Sequence, residues 1–161
     1  MFKVFVSYST DDLKNVTALQ KVLEPTGVQV FVAEHSVLPS EPLAARISAA
    51  IAGCDMFVVL WSANAKASEW VSQEIGKAHS LGKPILPLLL TEGLSLPGFI
   101  SDLKYLPLYG DSTAAFDQAR DMILKNYRQK MAAVARQKEK EKLVLLGIGA
   151  FLLWAANQNK N

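Results

Sequence analysis

Five short apolar runs, interleaved with segments of helical periodicity, constrain this chain more than any other feature. Phe2 to Tyr8 is rich in β-branched and aromatic residues and is bounded by Ser9-Thr10-Asp11-Asp12, so it reads as a buried strand. Val28–Val32, Met56–Trp61 and Pro84–Leu90 read the same way, and Lys104–Leu108 gives a weaker fifth strand. Between them, Leu13, Val16, Leu19, Val22 and Leu23 recur at helical spacing, with Thr10 or Asp11 available as a cap and Asp12 suited to the positive first turn. Further helices are expected over Leu43–Gly53, over Glu69–Leu81 behind a Ser68 cap and closed by Gly82, and from Ser112 onward. Ala33–Pro42 and Ser62–Ala67 read as polar loops. Strands buried on both faces and separated by helices predict a five-stranded parallel sheet with helices on both faces, in a flavodoxin-like α/β arrangement, plus a C-terminal helical extension.

Charge divides the chain. Residues 1–124 carry 9 Lys/Arg and 13 Asp/Glu, a net −4, whereas residues 125–142 carry 7 Lys/Arg and 2 Glu, a net +5. An acidic globular part is a poor surface for nucleic acid, and no nucleic-acid partner is expected. The single cysteine, Cys54, excludes an internal disulfide and a Cys-rich metal site, and it reads as small core filler in a reducing compartment. His35 and His79 are isolated, without metal-ligand spacing, and read as surface residues; no metal is expected. Met1-Phe2-Lys3-Val4 enters the first strand with no leader pattern, which points to the cytoplasm.

Three segments result: a domain over 1–127, a basic helical linker over 128–142, and an apolar C-terminal helix over 143–161 as a candidate membrane anchor. Leu143–Ala156 is 14 residues without a charge, about 21 Å of helix against a hydrocarbon core of roughly 30 Å. With the basic segment before it and Trp154 near its end, it suits attachment to the inner face of the cell membrane through 128–156. The competing reading is a helix packed against another protomer, with Gly147 and Gly149 permitting close approach.

Specific residues narrow the function. Phe5-Val6-Ser7-Tyr8-Ser9-Thr10-Asp11-Asp12 resembles the first box of TIR (Toll/interleukin-1 receptor) domains. Val30-Phe31 and the loop through Leu38-Pro39-Ser40 resemble the second strand and BB loop, and Ala50–Asp55 the helix end before the third strand. Val58–Asn64, then Ser68-Glu69-Trp70, and Lys83-Pro84-Ile85-Leu86-Pro87 are similar to the later boxes. The ordered match covers about residues 1–127. The chain departs from the family at Val32-Ala33-Glu34, where an Asp is common after the strand's aromatic, and at Ser40, where Gly is common and a serine disfavours positive φ. A receiver domain shares the architecture, and Asp11-Asp12 imitates its acidic pair. Trp61-Ser62 and Leu90-Thr91, however, stand where a receiver needs its phosphoacceptor Asp and its Lys.

What the resemblance implies is an NAD glycohydrolase of the kind found in bacterial immune defence against phage, active on self-assembly and using NAD as substrate rather than cofactor. It implies Glu74 as the catalytic residue. Cleaving the nicotinamide–ribose bond builds positive charge on the sugar, which one carboxylate can stabilise, and nicotinamide leaves as a neutral amine. Trp70, four residues earlier, lies on the same helix face. The bland alternatives are a solvated Glu74 paired with Lys77 or Lys66, and a Trp70 that only packs. The resemblance also implies that Tyr8, Ser9 and Thr10 line the NAD pocket, against simple helix capping by Ser9 and Thr10. It assigns assembly to the BB loop at Leu38, Pro39 and Ser40. Arg46 could face a neighbouring protomer or only solvent. No G-x-G-x-x-G loop is present. Two other functions compete: a non-catalytic TIR adaptor at a membrane, which commonly lacks the glutamate, and a tail that disrupts membranes on assembly.

Overall fold

The computed structural model describes residues 1–32, 42–110 and 112–158. The expected BB-loop residues Leu38, Pro39 and Ser40, together with Ala33, Glu34 and His35, lie outside the described residues. The chain divides into two units, Met1–Leu124 and Lys125–Asn161.

In the first unit the strands are β1 (Lys3–Ser7), β2 (Gln29–Val32), β3 (Met56–Trp61), β4 (Ile85–Leu89) and β5 (Leu106–Pro107). They form one parallel sheet in the order β2-β1-β3-β4-β5. The helices are α1 (Leu13–Leu23), α2 (Leu43–Gly53), α3 (Ala63–Ala67), α4 (Glu69–Ser80) and α5 (Ser112–Gln158). The expected loop over Ser62–Ala67 is therefore corrected to the short helix α3. Its Ala-rich sequence favours helix, and the Ser62 hydroxyl caps it by accepting the Ala65 N–H at 3.0 Å.

Alternation along the strands divides the core. Phe5, Phe57, Val59, Trp61 and Leu89 share one cluster with Ile47 and Ile51 of α2 and Val71, Ile75 and Ala78 of α4. Phe5 lies in register with Phe31 and Phe57 and stacks on both, with ring centroids 5.4 Å apart in each pair. The intervening Val4, Val6, Val58, Leu60 and Leu88 are also buried, as two covered faces require. The chain order reverses between β1 and β3. In open α/β sheets the crevice beyond the C-terminal strand ends at such a reversal is where ligands bind.

The second unit is helical and exposed. Its side chains from Leu143 to Trp154 include Leu145 at 69% exposure and Leu153 at 75%. No helix among the described residues is long and apolar enough to cross a membrane. The helix α5 runs without a break through residues 127–128 and 142–143, where the composition changes.

Candidate active site

The site grows out of α4. Ser68 starts the helix, its Oγ accepting the Val71 N–H at 3.3 Å. Val71, Glu74, Ile75 and Ala78 then form the buried stripe, at the 3–4 residue spacing of a core-facing helix. Glu74 occupies a core position of that stripe and is 2% exposed. A solvated glutamate of the ordinary helix kind is thus not what the fold presents. The hydroxyl of Ser7, the fully buried last residue of β1, donates to Glu74 Oε2. This contact fixes the carboxylate at the C-terminal end of β1, beside the reversal in strand order.

Trp70 lies one turn earlier on the same face and is 43% exposed. The two residues share a groove of about 200 Å³, lined by Ala44, Ile47, Ser48 and Ile51 from α2 and by Trp70, Gln73, Glu74 and Lys77 from α4. Glu74 is at the buried side of this groove and Trp70 at its rim. Sequence reasoning missed Ser7, although a serine ending an otherwise apolar buried strand was a usable signal. It also missed Gln73, Lys77 and Ser48 as lining residues, because α2 and α4 meet only in the fold.

The residues after β1 are placed differently. Tyr8 and Ser9 are buried and Thr10 is exposed, and none of the three is among the described residues lining the groove. Neither Thr10 nor Asp11 caps α1; the chain makes a 3-10 turn over Thr10–Asp12, with the Asp12 N–H donating to the Ser9 carbonyl at 2.8 Å. Asp12, expected merely to suit the first turn, accepts a hydrogen bond from the Ser62 hydroxyl at 2.5 Å. Burial pushes the Asp12 carboxyl above its ordinary value; the Ser62 bond works against that rise and the Asp11 charge adds to it.

Among the described residues no cluster could hold a metal ion. Cys54 is a buried free thiol within the core, and burial pushes its pKa upward. His79 is exposed and contacts the Phe99 ring at 5.6 Å, and Arg46 is exposed on α2.

A parallel 2-1-3-4-5 sheet with a serine-held carboxylate beside its strand reversal defines a doubly wound domain. The family of TIR domains matches residues 4–124, and the chain belongs to it. Among solved structures it is similar to the TIR domain of the Toll-related receptor TRR-2 from Hydra magnipapillata, at 20% identity and a TM-score of 0.61, covering 82% of this chain and 99% of that one. It is also similar to the CMP N-glycosidase BcmB of Clostridium botulinum, at 22% identity and a TM-score of 0.55, covering 73% and 98%. The TIR domains of the activated Roq1 resistosome match at 19% identity and a TM-score of 0.50, covering 84% of each chain. The comparison with curated proteins gave no match.

Proposed function

We propose that this TIR domain hydrolyses NAD at the nicotinamide–ribose bond, with Glu74 as its catalytic carboxylate. The observation that carries the reading is the burial of Glu74 beneath an exposed Trp70 in a groove at the strand reversal. A carboxylate withdrawn from bulk water and held by Ser7 stabilises developing charge more strongly than one solvated on a helix surface. As the bond between C1′ and the pyridine nitrogen breaks, its electron pair leaves with neutral nicotinamide. Positive charge gathers on the ribose, where Glu74 faces it. Water then attacks C1′ and loses a proton, giving ADP-ribose; attack by an adenine nitrogen instead gives a cyclic isomer. That BcmB, a similar fold, is described as a CMP N-glycosidase supports this class of bond cleavage.

Self-association belongs to the same proposal. The groove of about 200 Å³ is smaller than the roughly 300–1,000 Å³ of ordinary ligand sites. A second copy docking through Leu38, Pro39 and Ser40 would complete it, with Tyr8, Ser9 and Thr10, which follow the C-terminal end of β1 outside the described groove, contributing to the enlarged pocket. The Roq1 structure, a resistosome resolved through its TIR domains, supports assembly as the active form. Contact of residues 128–156 with the inner membrane face would concentrate the chain for assembly, in keeping with a role in immune defence.

The test is nicotinamide release from NAD by the concentrated full chain, with base release from CMP measured in parallel. Glu74→Gln is expected to lower the rate about 10²–10³-fold, the scale for losing one group that stabilises transition-state charge. Equal rates would remove Glu74 from the mechanism, and no release at any concentration would leave the scaffolding adaptor. Faster base release from CMP would reassign the substrate while keeping the bond class.

A further inference from the structure

We propose that Lys77 binds the phosphate attached to the ribose that Glu74 addresses, so that α4 reads nicotinamide, ribose and phosphate in order along its axis. The inference rests on the glycohydrolase reading and adds to it a residue that selects phosphorylated substrates. Trp70, Glu74 and Lys77 all line the one groove. From Trp70 to Glu74 the helix rises about 6 Å and from Glu74 to Lys77 about 4.5 Å. The substrate has the same sequence of parts. Its aromatic base lies on one side of C1′, and its 5′-phosphate lies across the ribose ring on the other. With the reacting C1′ at Glu74 and the base against Trp70, the phosphate falls at the next turn, where Lys77 lines the groove.

An exposed lysine on a helix is ordinary by itself, but two observations set Lys77 apart. It makes no ion pair with a carboxylate among the described residues, so its charge is available to a ligand. It also supplies the single cationic side chain of the described groove, within a unit whose residues 1–124 carry a net −4. An anionic substrate approaching an acidic domain needs such a local positive group. A Lys–phosphate contact of this kind is charge-assisted and correspondingly strong.

The experiment uses the full-length Glu74→Gln protein, which retains the groove without turning substrate over. Equilibrium binding is compared for nicotinamide mononucleotide, which carries the 5′-phosphate, and nicotinamide riboside, which does not. The mononucleotide is expected to bind at least about tenfold more tightly, the scale of one hydrogen bond to a charged group. Adding Lys77→Met should remove that preference and Lys77→Arg should restore it. Lys66→Met, which deletes a charge just before α4 but outside the groove, should keep it and so separates a contact from a general field effect. An unchanged preference in Lys77→Met, or none to begin with, overturns the assignment of Lys77 even if NAD is cleaved. A Lys77-dependent preference without NAD cleavage by the wild type overturns the glycohydrolase reading alone. Binding of neither compound overturns the assignment of Lys77, and overturns the glycohydrolase reading as well only where the wild type also fails to cleave NAD.

Discussion

Two buried carboxyl groups lie near the C-terminal edge of the sheet, each receiving a serine hydroxyl: Glu74 from Ser7 and Asp12 from Ser62. Burying a carboxylate is costly, and one hydroxyl donor offsets only part of that cost. For Asp12 the balance shows as a pKa above 3.8, with burial the largest cause. The folded state therefore holds this proton more tightly than the unfolded chain. The stabilisation linked to it is full below the unfolded value and is lost as pH rises through the folded value. Asp12→Asn, whose amide oxygen can still accept from Ser62, is expected to melt at or above the wild-type temperature near pH 7. Its advantage should shrink as pH falls to about 4; melting curves across that range check it. An Asn variant less stable than wild type at neutral pH would mean the charged Asp12 is needed there. The burial of Glu74 was not read from the sequence, although Val71, Glu74, Ile75 and Ala78 keep core spacing. Nor was its partner, since Ser7 and Glu74 stand 67 positions apart and only the sheet brings them together.

At the scale of elements, α4 is fixed at both ends by groups the sequence displays. Ser68 caps its start. At its end the Gly82 N–H donates to the His79 carbonyl at 2.9 Å and the Lys83 N–H to the Ala78 carbonyl at 3.0 Å, the paired bonds of a Schellman motif. Gly82 adopts φ +61, with nothing within 4 Å of where a Cβ would stand. The cost of a side chain there is thus conformational, not steric. Gly82→Ala is expected to destabilise the protein by about 1 kcal/mol, seen as a fall of roughly 2–4 °C in Tm. No change in Tm would show that the α4 terminus can be rebuilt without positive φ. Lys83 also links elements, its Nζ donating to the carbonyls of Ala52 at 2.6 Å and Cys54 at 2.8 Å at the end of α2. This gives a physical role to the lysine of the Lys83-Pro84 box. The helices with clear stripes and caps were readable at nearly their observed bounds. The five-residue α3 was not, because it is too short to display a period and its Ser62 cap resembled the start of a loop.

For the whole molecule, charge and hydropathy change at points where the backbone does not. Residues 125–142 carry a net +5 and Leu143–Ala156 carry no charge, yet α5 passes through both without interruption. The apolar stretch lacks the length to cross a bilayer, but Leu143, Val144, Leu145 and Leu146 occupy every side of one helical turn and are each at least 60% exposed. Apolar surface this exposed suits burial in the headgroup–acyl boundary of a membrane, into which an interfacial helix sinks its apolar side. The basic residues before it would add attraction to anionic lipid, on the order of 1 kcal/mol for each one near the surface. The full chain is accordingly expected to sediment with vesicles containing phosphatidylglycerol and much less with vesicles of phosphatidylcholine alone. High salt should weaken the association by screening. Leu145→Glu combined with Leu152→Glu should abolish it while leaving the melting of the domain over 1–124 unchanged, since both positions are exposed outside that unit. Equal sedimentation by the double variant would exclude insertion of the apolar stretch. A vesicle-independent oligomer lost in the double variant would identify a second copy of the helix, instead of lipid, as what covers it.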